Sequence, residues 1–342
     1  MKNSCLDVLI IGAGQTGLTT AYYLKKTNLS FLLVDVNAKI GDSWRERYDS
    51  LRLLTPDSNN SLPGLSLGGN KETYSTKDNF AAYLERYSHY FSFPVLLNTK
   101  IKKLQKKNNI FIATAANKTY HARNVVVATG AFQKPYIPQI AKNASSAIFQ
   151  IHSYEYKNAS KIPKGNVLVV GAGNSGAQIA VELAKTHPVT LSSKRKLIFD
   201  SKYDFLYSFI AKFLTTKMIR KIVDTFSIRK IYVPEIEDLL KSKQISLVPE
   251  LKAVNQKEFF LKRGLSGQFN SVIWATGFQF DYTWIKIKEA FDSNGNLLHK
   301  NGISVVKGLY IAYPEKNYGF IRNLPAKAEG LVGQLIATNK NS

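Results

Sequence analysis

The chain is predicted to fold as α/β, with two doubly wound units around parallel sheets and the second unit inserted into the first. Three observations predict this. An apolar run, a glycine-rich turn and a helical stretch occur near the start. The same succession returns about halfway along. Two further apolar segments, each ending in Ala-Thr-Gly, stand where such units would end or begin.

The first succession opens with Asp7-Val8-Leu9-Ile10-Ile11, which reads as a strand buried on both faces. Gly12-Ala13-Gly14-Gln15-Thr16-Gly17 follows, then a helix over 18–26 with Leu18, Ala21, Tyr22 and Leu24 at helical spacing, then a strand over 30–34 ending at Asp35. The second succession has a strand over 166–170, the turn Gly171-Ala172-Gly173-Asn174-Ser175-Gly176, a helix over 177–185 and a strand over 189–192. Self-similarity of this kind marks a repeated structural unit. The Ala-Thr-Gly segments close at Thr129-Gly130 and at Thr276-Gly277. The simplest organisation gives residues 1–148 and 278–342 to one domain and 149–277 to an inserted one.

A Gly-x-Gly-x-x-Gly between a strand and a helix has a physical reason for each glycine. The first permits the tight turn, the second lets backbone approach a pyrophosphate, and the third lets helix pack on strand. The phosphates then meet N–H groups at the positive end of the helix. Both copies therefore predict Rossmann-like dinucleotide sites. The residue 23 positions beyond each first glycine separates them. In the first copy it is Asp35, which can accept from two ribose hydroxyls and repels a 2′-phosphate, as FAD or NAD requires. In the second it is Lys194, followed by Arg195, two bases that can neutralise a 2′-phosphate. The second site is expected to take NADP(H).

Composition narrows the class. The 342 residues are 44% hydrophobic and 21% charged, the balance of a folded protein of two domains. The formal net charge of +23 is spread along the chain, and its densest runs, such as Lys194-Arg195-Lys196, are short. That pattern fits attraction for polyanionic dinucleotides better than nucleic-acid binding, and leaves open a weak association with a membrane surface. A single cysteine, Cys5, excludes a disulfide framework, a Cys-x-x-Cys redox pair and a cysteine zinc site. Residues 1–6 leave no room for a signal peptide, and no apolar run reaches the ~18 residues of a transmembrane helix. The expectation is a cytoplasmic protein without a metal, with a homodimer left open.

Further motifs carry a resemblance. Gly41-Asp42-Ser43-Trp44-Arg45 continues into Tyr48-Asp49-Ser50-Leu51-Arg52-Leu53-Leu54-Thr55-Pro56, and Trp274-Ala275-Thr276-Gly277-Phe278 closes the inserted unit. With the two glycine turns, these resemble the small bacterial flavin-containing monooxygenases, which are similar to the plant auxin-synthesis monooxygenases and share a glutathione-reductase-like build. The family's linker fingerprint, Phe-x-Gly-x-x-x-His-x-x-x-Tyr/Phe, is half kept. His152 and Tyr156 fit it, while Ser146 and Ile148 stand where Phe and Gly are expected.

The resemblance implies a reaction. NADPH reduces FAD, O₂ adds to the reduced flavin, and the C4a-(hydro)peroxyflavin passes one oxygen to a small soft nucleophile or carbonyl compound. It also implies roles. Gly12, Gly14, Gln15 and Gly17 would hold the FAD pyrophosphate and Asp35 its ribose, while Trp44, Arg45, Thr129 and Gly130 would lie along FAD. Gly171, Gly173, Asn174, Ser175 and Gly176 would hold the nicotinamide cofactor's phosphates, with Lys194 and Arg195 on the 2′-phosphate. Thr276 and Gly277 would lie where both cofactors approach. No protein group is assigned as catalytic, since the cofactor carries the chemistry.

Two alternatives remain on this scaffold. One is an NAD(P)H-dependent flavin reductase or oxidase that makes peroxide, which the incomplete fingerprint favours. The other is a non-enzymatic dinucleotide-binding protein. Three further segments are expected. Phe205, Leu206, Phe209, Ile210, Phe213 and Leu214 read as an amphipathic helix, a cap or a lid. Residues 326–337 read as a C-terminal helix. Tyr318, Phe320 and Asn323 are candidates for lining a substrate pocket.

Overall fold

The computed structural model describes residues 5–70, 72–199, 228–262, 264, 266–312 and 324–340. The helix expected around Phe205–Leu214 lies outside these residues, as do Tyr318, Phe320 and Asn323. The chain divides into two compact units. One comprises Met1–Glu46, Thr55–Lys134 and Phe280–Ser342, the other Arg47–Leu54 and Pro135–Gln279.

In the first unit, β1 (Leu6–Ile11), α1 (Gln15–Leu24) and β2 (Phe31–Val34) form the N-terminal βαβ. After α2 (Asp42–Arg45) and α3 (Lys77–Tyr90) come β3 (Val95–Leu96), β4 (Lys103–Lys107), β5 (Ile110–Thr114) and β6 (Thr119–Val127). β1 pairs in parallel with both β2 and β6, Ile11 opposite Val34 and Val127. Val8, Leu9 and Ile10 are fully buried, as a continuous apolar strand in a parallel sheet should be.

α3 is a helix that the sequence reading does not assign. Thr76 caps it by accepting from Asn79 N at 3.2 Å, Asp78 complements its N-terminal dipole, and Phe80, Tyr83, Leu84 and Tyr87 form one buried stripe. It ends where Ser92 turns left-handed (φ 48°).

The second unit follows the crossing at β7 (Lys134–Pro135). It holds β8 (Phe149–His152), β9 (Val167–Val170), α4 (Asn174–Leu183), β10 (Val189–Ser192), β11 (Lys196–Phe199), β12 (Ile228–Ile231), α5 (Glu235–Lys241) and β13 (Ile245–Val248). An antiparallel set, β14 (Leu251–Asn255), β15 (Glu258–Leu261) and β16 (Ser266–Gln268), precedes β17 (Ser271–Trp274) and β18 (Phe278–Gln279). The main sheet runs β13-β10-β9-β17-β8, all parallel. Leu168, Val170, Val254, Phe259 and Trp274 share its core.

β19 (His299–Lys300), β20 (Ile303–Ser304) and β21 (Leu309–Ile311) complete the first sheet, β21 parallel to β6. α6 (Leu324–Lys340) packs on α1 and extends past both ends of the expected 326–337 helix. The α/β architecture with a parallel core in each sheet is the one expected, and β4, β5, β19 and β20 extend the first sheet through antiparallel pairs. Among the described residues, no helix is long and apolar enough to cross a membrane, and no His, Cys, Asp or Glu cluster could hold a metal ion.

Candidate functional site

Each unit carries a glycine turn at the carboxyl end of its central strand, and the two turns have matching local geometry. In the first, Gly12 has φ +111° and donates its N–H to Val34 O at 2.8 Å. α1 starts from Gly14 with no side-chain cap and no acidic residue in its first turn. A Cβ on Gly12 would lie 2.4 Å from Ala128 O, and one on Gly17 would lie 1.9 Å from Gly12 O. A Cβ on Gly14 would meet nothing within 4 Å. Two glycines thus allow backbone to pack on backbone, and the middle one faces open space. This is the cradle a pyrophosphate needs, with unspent N–H groups and a positive dipole end.

The second turn repeats the arrangement. Gly171 has φ +105° and donates to Ser192 O at 3.0 Å. A Cβ on Gly171 would lie 2.4 Å from Ala275 O, and one on Gly176 would lie 2.0 Å from Gly171 O. α4 starts at Gly173, again without a side-chain cap or an early acid. In both units it is the Ala-Thr-Gly segment that closes over the first glycine. β6 brings Ala128–Thr129 to Gly12, and β17 brings Ala275–Thr276 to Gly171.

The ribose positions differ as their charges do. Asp35 Oδ2 accepts from Ala13 N at 2.6 Å, and Oδ1 from Asn37 N at 2.9 Å, so the carboxylate is fixed at the end of β2 beside the turn. Lys194 is exposed just beyond β10. Arg195 follows it, its backbone N–H donating to Ser193 Oγ at 3.3 Å.

Sequence reading missed a third member of this corner, Glu250. Its carboxylate sits 2.6 Å from Lys252 Nζ and 3.7 Å from Lys194 Nζ. The Lys252 hydrogen bond leads in holding its pKa below the usual carboxylate value. Glu250 is 56 positions from Lys194 in the chain, and only the β10–β13 pairing brings them together.

Other predicted residues are engaged by protein. Gln15 Oε1 accepts from Trp44 Nε1 at 3.0 Å, and the Trp44 ring packs edge-on against Phe80. Arg45 donates to Asp42 at 2.9 Å, Glu85 at 2.7 Å and Ile40 O at 2.8 Å, which ties α2 to α3. Thr129 and Gly130 are held by a residue the sequence reading did not name. Gln133 Nε2 donates to Thr129 Oγ1 at 2.9 Å and Gly130 O at 2.7 Å, while its Oε1 accepts from Asp281 N at 2.8 Å. Asn174 Oδ1 accepts from Tyr232 N at 3.0 Å. Thr276 Oγ1 donates to Tyr136 O.

His152 is fully buried and holds Gly277. Its Nε2 lies 3.0 Å from Gly277 O, its Nδ1 accepts from Tyr154 N at 3.1 Å, and its ring stands edge-on to Phe278. These contacts require a neutral ring with the proton on Nε2, because a proton on Nδ1 would face the Tyr154 N–H. Burial, the leading cause, pushes its pKa below the ordinary 6.5.

A depressed histidine pKa means that the unfolded chain binds the proton more readily. Stability from this site is therefore complete above pH ~6.5 and is lost as pH falls below it. Melting temperature should fall on acidification through this range, and His152→Gln should flatten that slope. A slope unchanged in His152→Gln would remove His152 as its source.

The sequence matches the profile of the family described as pyridine nucleotide-disulphide oxidoreductase over residues 9–312. An "Uncharacterized oxidoreductase CzcO-like" of Geobacillus kaustophilus is 40% identical, covering 97% of this chain and 98% of its own. A "Probable indole-3-pyruvate monooxygenase YUCCA1" of Arabidopsis thaliana is 26% identical over 88% of this chain and 83% of its own. Among solved structures, a flavin-containing monooxygenase from Stenotrophomonas maltophilia has the same fold. Its TM-score is 0.81 at 23% identity, over 98% of this chain and 99% of that one.

Proposed function

The chain belongs to the pyridine nucleotide-disulphide oxidoreductase family, and from this we propose that it is an FAD monooxygenase that draws electrons from NADPH. Its acceptor is a small soft nucleophile or carbonyl compound that receives one oxygen atom of O₂. The observation that carries this reading is the pair of glycine cradles, alike in backbone and opposite in charge at the ribose position. The similarity to a relative named as an indole-3-pyruvate monooxygenase supports oxygen transfer over simple electron transfer.

Bound in the first unit, FAD supplies hydride acceptance and oxygen activation. The chain's own residues bind and orient. The open face at Gly14 and the N-terminus of α1 receive the FAD pyrophosphate, and Asp35 accepts from its ribose hydroxyls. Gly171, Gly173, Ser175 and the N-terminus of α4 do the same for the nicotinamide cofactor. The Asn174 side chain is occupied by Tyr232 N, so Asn174 contributes its backbone. Lys194 and Arg195 take the 2′-phosphate, with Glu250 partly neutralising Lys194. His152 fixes the carbonyl of Gly277 and thereby the Ala-Thr-Gly turn. With Cys5 as the single cysteine, no pair of thiols exists for disulfide reduction.

Product mass tests the reaction. Incubation with NADPH, O₂ and a panel of sulfides, amines, ketones and keto acids should give a product heavier by one oxygen atom. Stoichiometric peroxide with no oxygenated product from any of them would instead establish the reductase or oxidase reading. A protein that purifies colourless and takes up no FAD would overturn both.

The cofactor preference has its own test. Charge-assisted contacts to a phosphate each contribute ~1.5 kcal/mol or more, so losing two should cut discrimination on the order of 100-fold. Lys194→Ala with Arg195→Ala should lower the NADPH/NADH ratio of kcat/KM by that order. An unchanged ratio would show that neither base reads the 2′-phosphate.

A further inference from the structure

The motif Tyr48–Pro56 has no part in the reading above, yet its first residues pack on the helix of the second glycine turn. The chain leaves the first unit after Glu46, contributes Arg47–Leu54 to the second, and returns at Thr55. Leu51 and Leu53 are buried there, and polar groups of Tyr48, Ser50 and Arg52 meet α4. Tyr48 is 2% exposed, and its hydroxyl donates to Gln178 Oε1 at 2.9 Å. Gln178 Nε2 in turn donates to Arg52 O at 3.0 Å, and Ser50 Oγ donates to Glu182 Oε2 at 2.5 Å. Residues 178 and 182 lie one turn apart on the face of α4 that also carries Ser175, and this segment grips that face.

We propose that Tyr48 is a positioning residue of the second dinucleotide site, its phenol holding Gln178 and with it the orientation of α4 behind the glycine turn. The inference rests on that turn taking a nicotinamide dinucleotide. α4 has no side-chain cap, so its first turn is ordered by what packs on it. A buried tyrosine is suited to this, having few rotatable bonds to immobilise and one polar atom placed at the end of a rigid ring. Its burial raises the phenol's pKa to about 12, which keeps it a hydrogen-bond donor throughout the working range.

Tyr48→Phe keeps the ring and removes the hydroxyl. In the FAD-loaded protein, NADP⁺ binding is followed by calorimetry, with NAD⁺ in parallel, and flavin reduction is followed by absorbance. Loss of one neutral hydrogen bond should raise the NADP⁺ Kd, and with it the KM for NADPH, roughly fivefold. The reduction rate at saturating NADPH and the FAD content should not change. Tyr48→Phe combined with Gln178→Met should cost less than the product of the two single effects, because both act through one contact. Asn158→Ala is the control. Asn158 Nδ2 donates to Asp49 Oδ2 at 2.7 Å and its Oδ1 accepts from Ser160 Oγ at 2.7 Å, neither of them on α4, so its loss should leave Kd unchanged.

A wild-type Kd in Tyr48→Phe, or an equal rise in Asn158→Ala, would overturn the proposal. Should Tyr48→Phe not fold, Gln178→Met removes the phenol's acceptor and must raise Kd in the same way. Wild-type protein that binds neither NADP⁺ nor NAD⁺ would instead overturn the assignment of the second site.

Discussion

Replacing Gly17 by alanine should leave the protein unable to retain FAD. The new Cβ would lie 1.9 Å from the carbonyl oxygen of Gly12 and 3.4 Å from the Ile10 side chain. The nearer atom is backbone at the end of a strand whose last four residues are buried, so it cannot swing aside as a side chain would. α1 must then move outward by more than an ångström, taking the N–H groups of its first turn away from the phosphates. Overpacking of this kind costs ~3 kcal/mol, which corresponds to a roughly 100-fold loss in affinity when it falls on the binding turn. The measurement is the ratio of flavin to protein absorbance after purification, with circular dichroism to show that the chain is folded. A folded Gly17→Ala protein with full flavin content would show that α1 does not hold the pyrophosphate.

Gly176→Ala should produce the converse phenotype, a yellow protein that NADPH cannot bleach. Its Cβ would lie 2.0 Å from Gly171 O and 3.1 Å from the Ala275 side chain, the same collision in the second unit. The defect should appear as a rise in the KM for NADPH on the order of 100-fold, with FAD content at the wild-type level. Loss of FAD in this variant, with NADPH affinity preserved, would exchange the assignments of the two turns. The pair of substitutions is informative because the steric change is nearly identical and only the ligand differs.

Much of this was legible in the chain because the signals are local. A strand buried on both faces reads as an unbroken apolar run, and a turn that needs positive φ reads as glycine. Both copies of the pattern therefore show without any knowledge of tertiary contacts, and Gly12 and Gly171 do adopt positive φ. The charge difference was equally direct. Asp35 and Lys194-Arg195 each follow a strand that starts from its own helix, so a fixed count of residues finds them.

α3 was less legible. Its apolar stripe is made of Phe80, Tyr83 and Tyr87, bulky residues of middling helix propensity whose place is set by the core they enter.

What sequence could not provide are contacts made by strand order. The Ala-Thr-Gly segments were visible, but that Ala128 and Ala275 press on Gly12 and Gly171 follows from β6 lying beside β1 and β17 beside β9. Glu250 reaches Lys194 only because β13 lies beside β10. Arg45 is expected along FAD from sequence, but that its guanidinium also meets Asp42 and Glu85 follows from the fold, since Glu85 stands 40 residues away on α3.

Tyr48 is the clearest case. It belongs in sequence to the first unit's flank and in space to α4, 130 residues from its partner Gln178. Backbone conformation and hydrophobic period are properties of a few neighbouring residues, so they are written in order along the chain. Which carboxylate meets which cation, and which phenol meets which helix, depends on how distant strands are ordered in a sheet, and that is settled when the apolar faces are buried together.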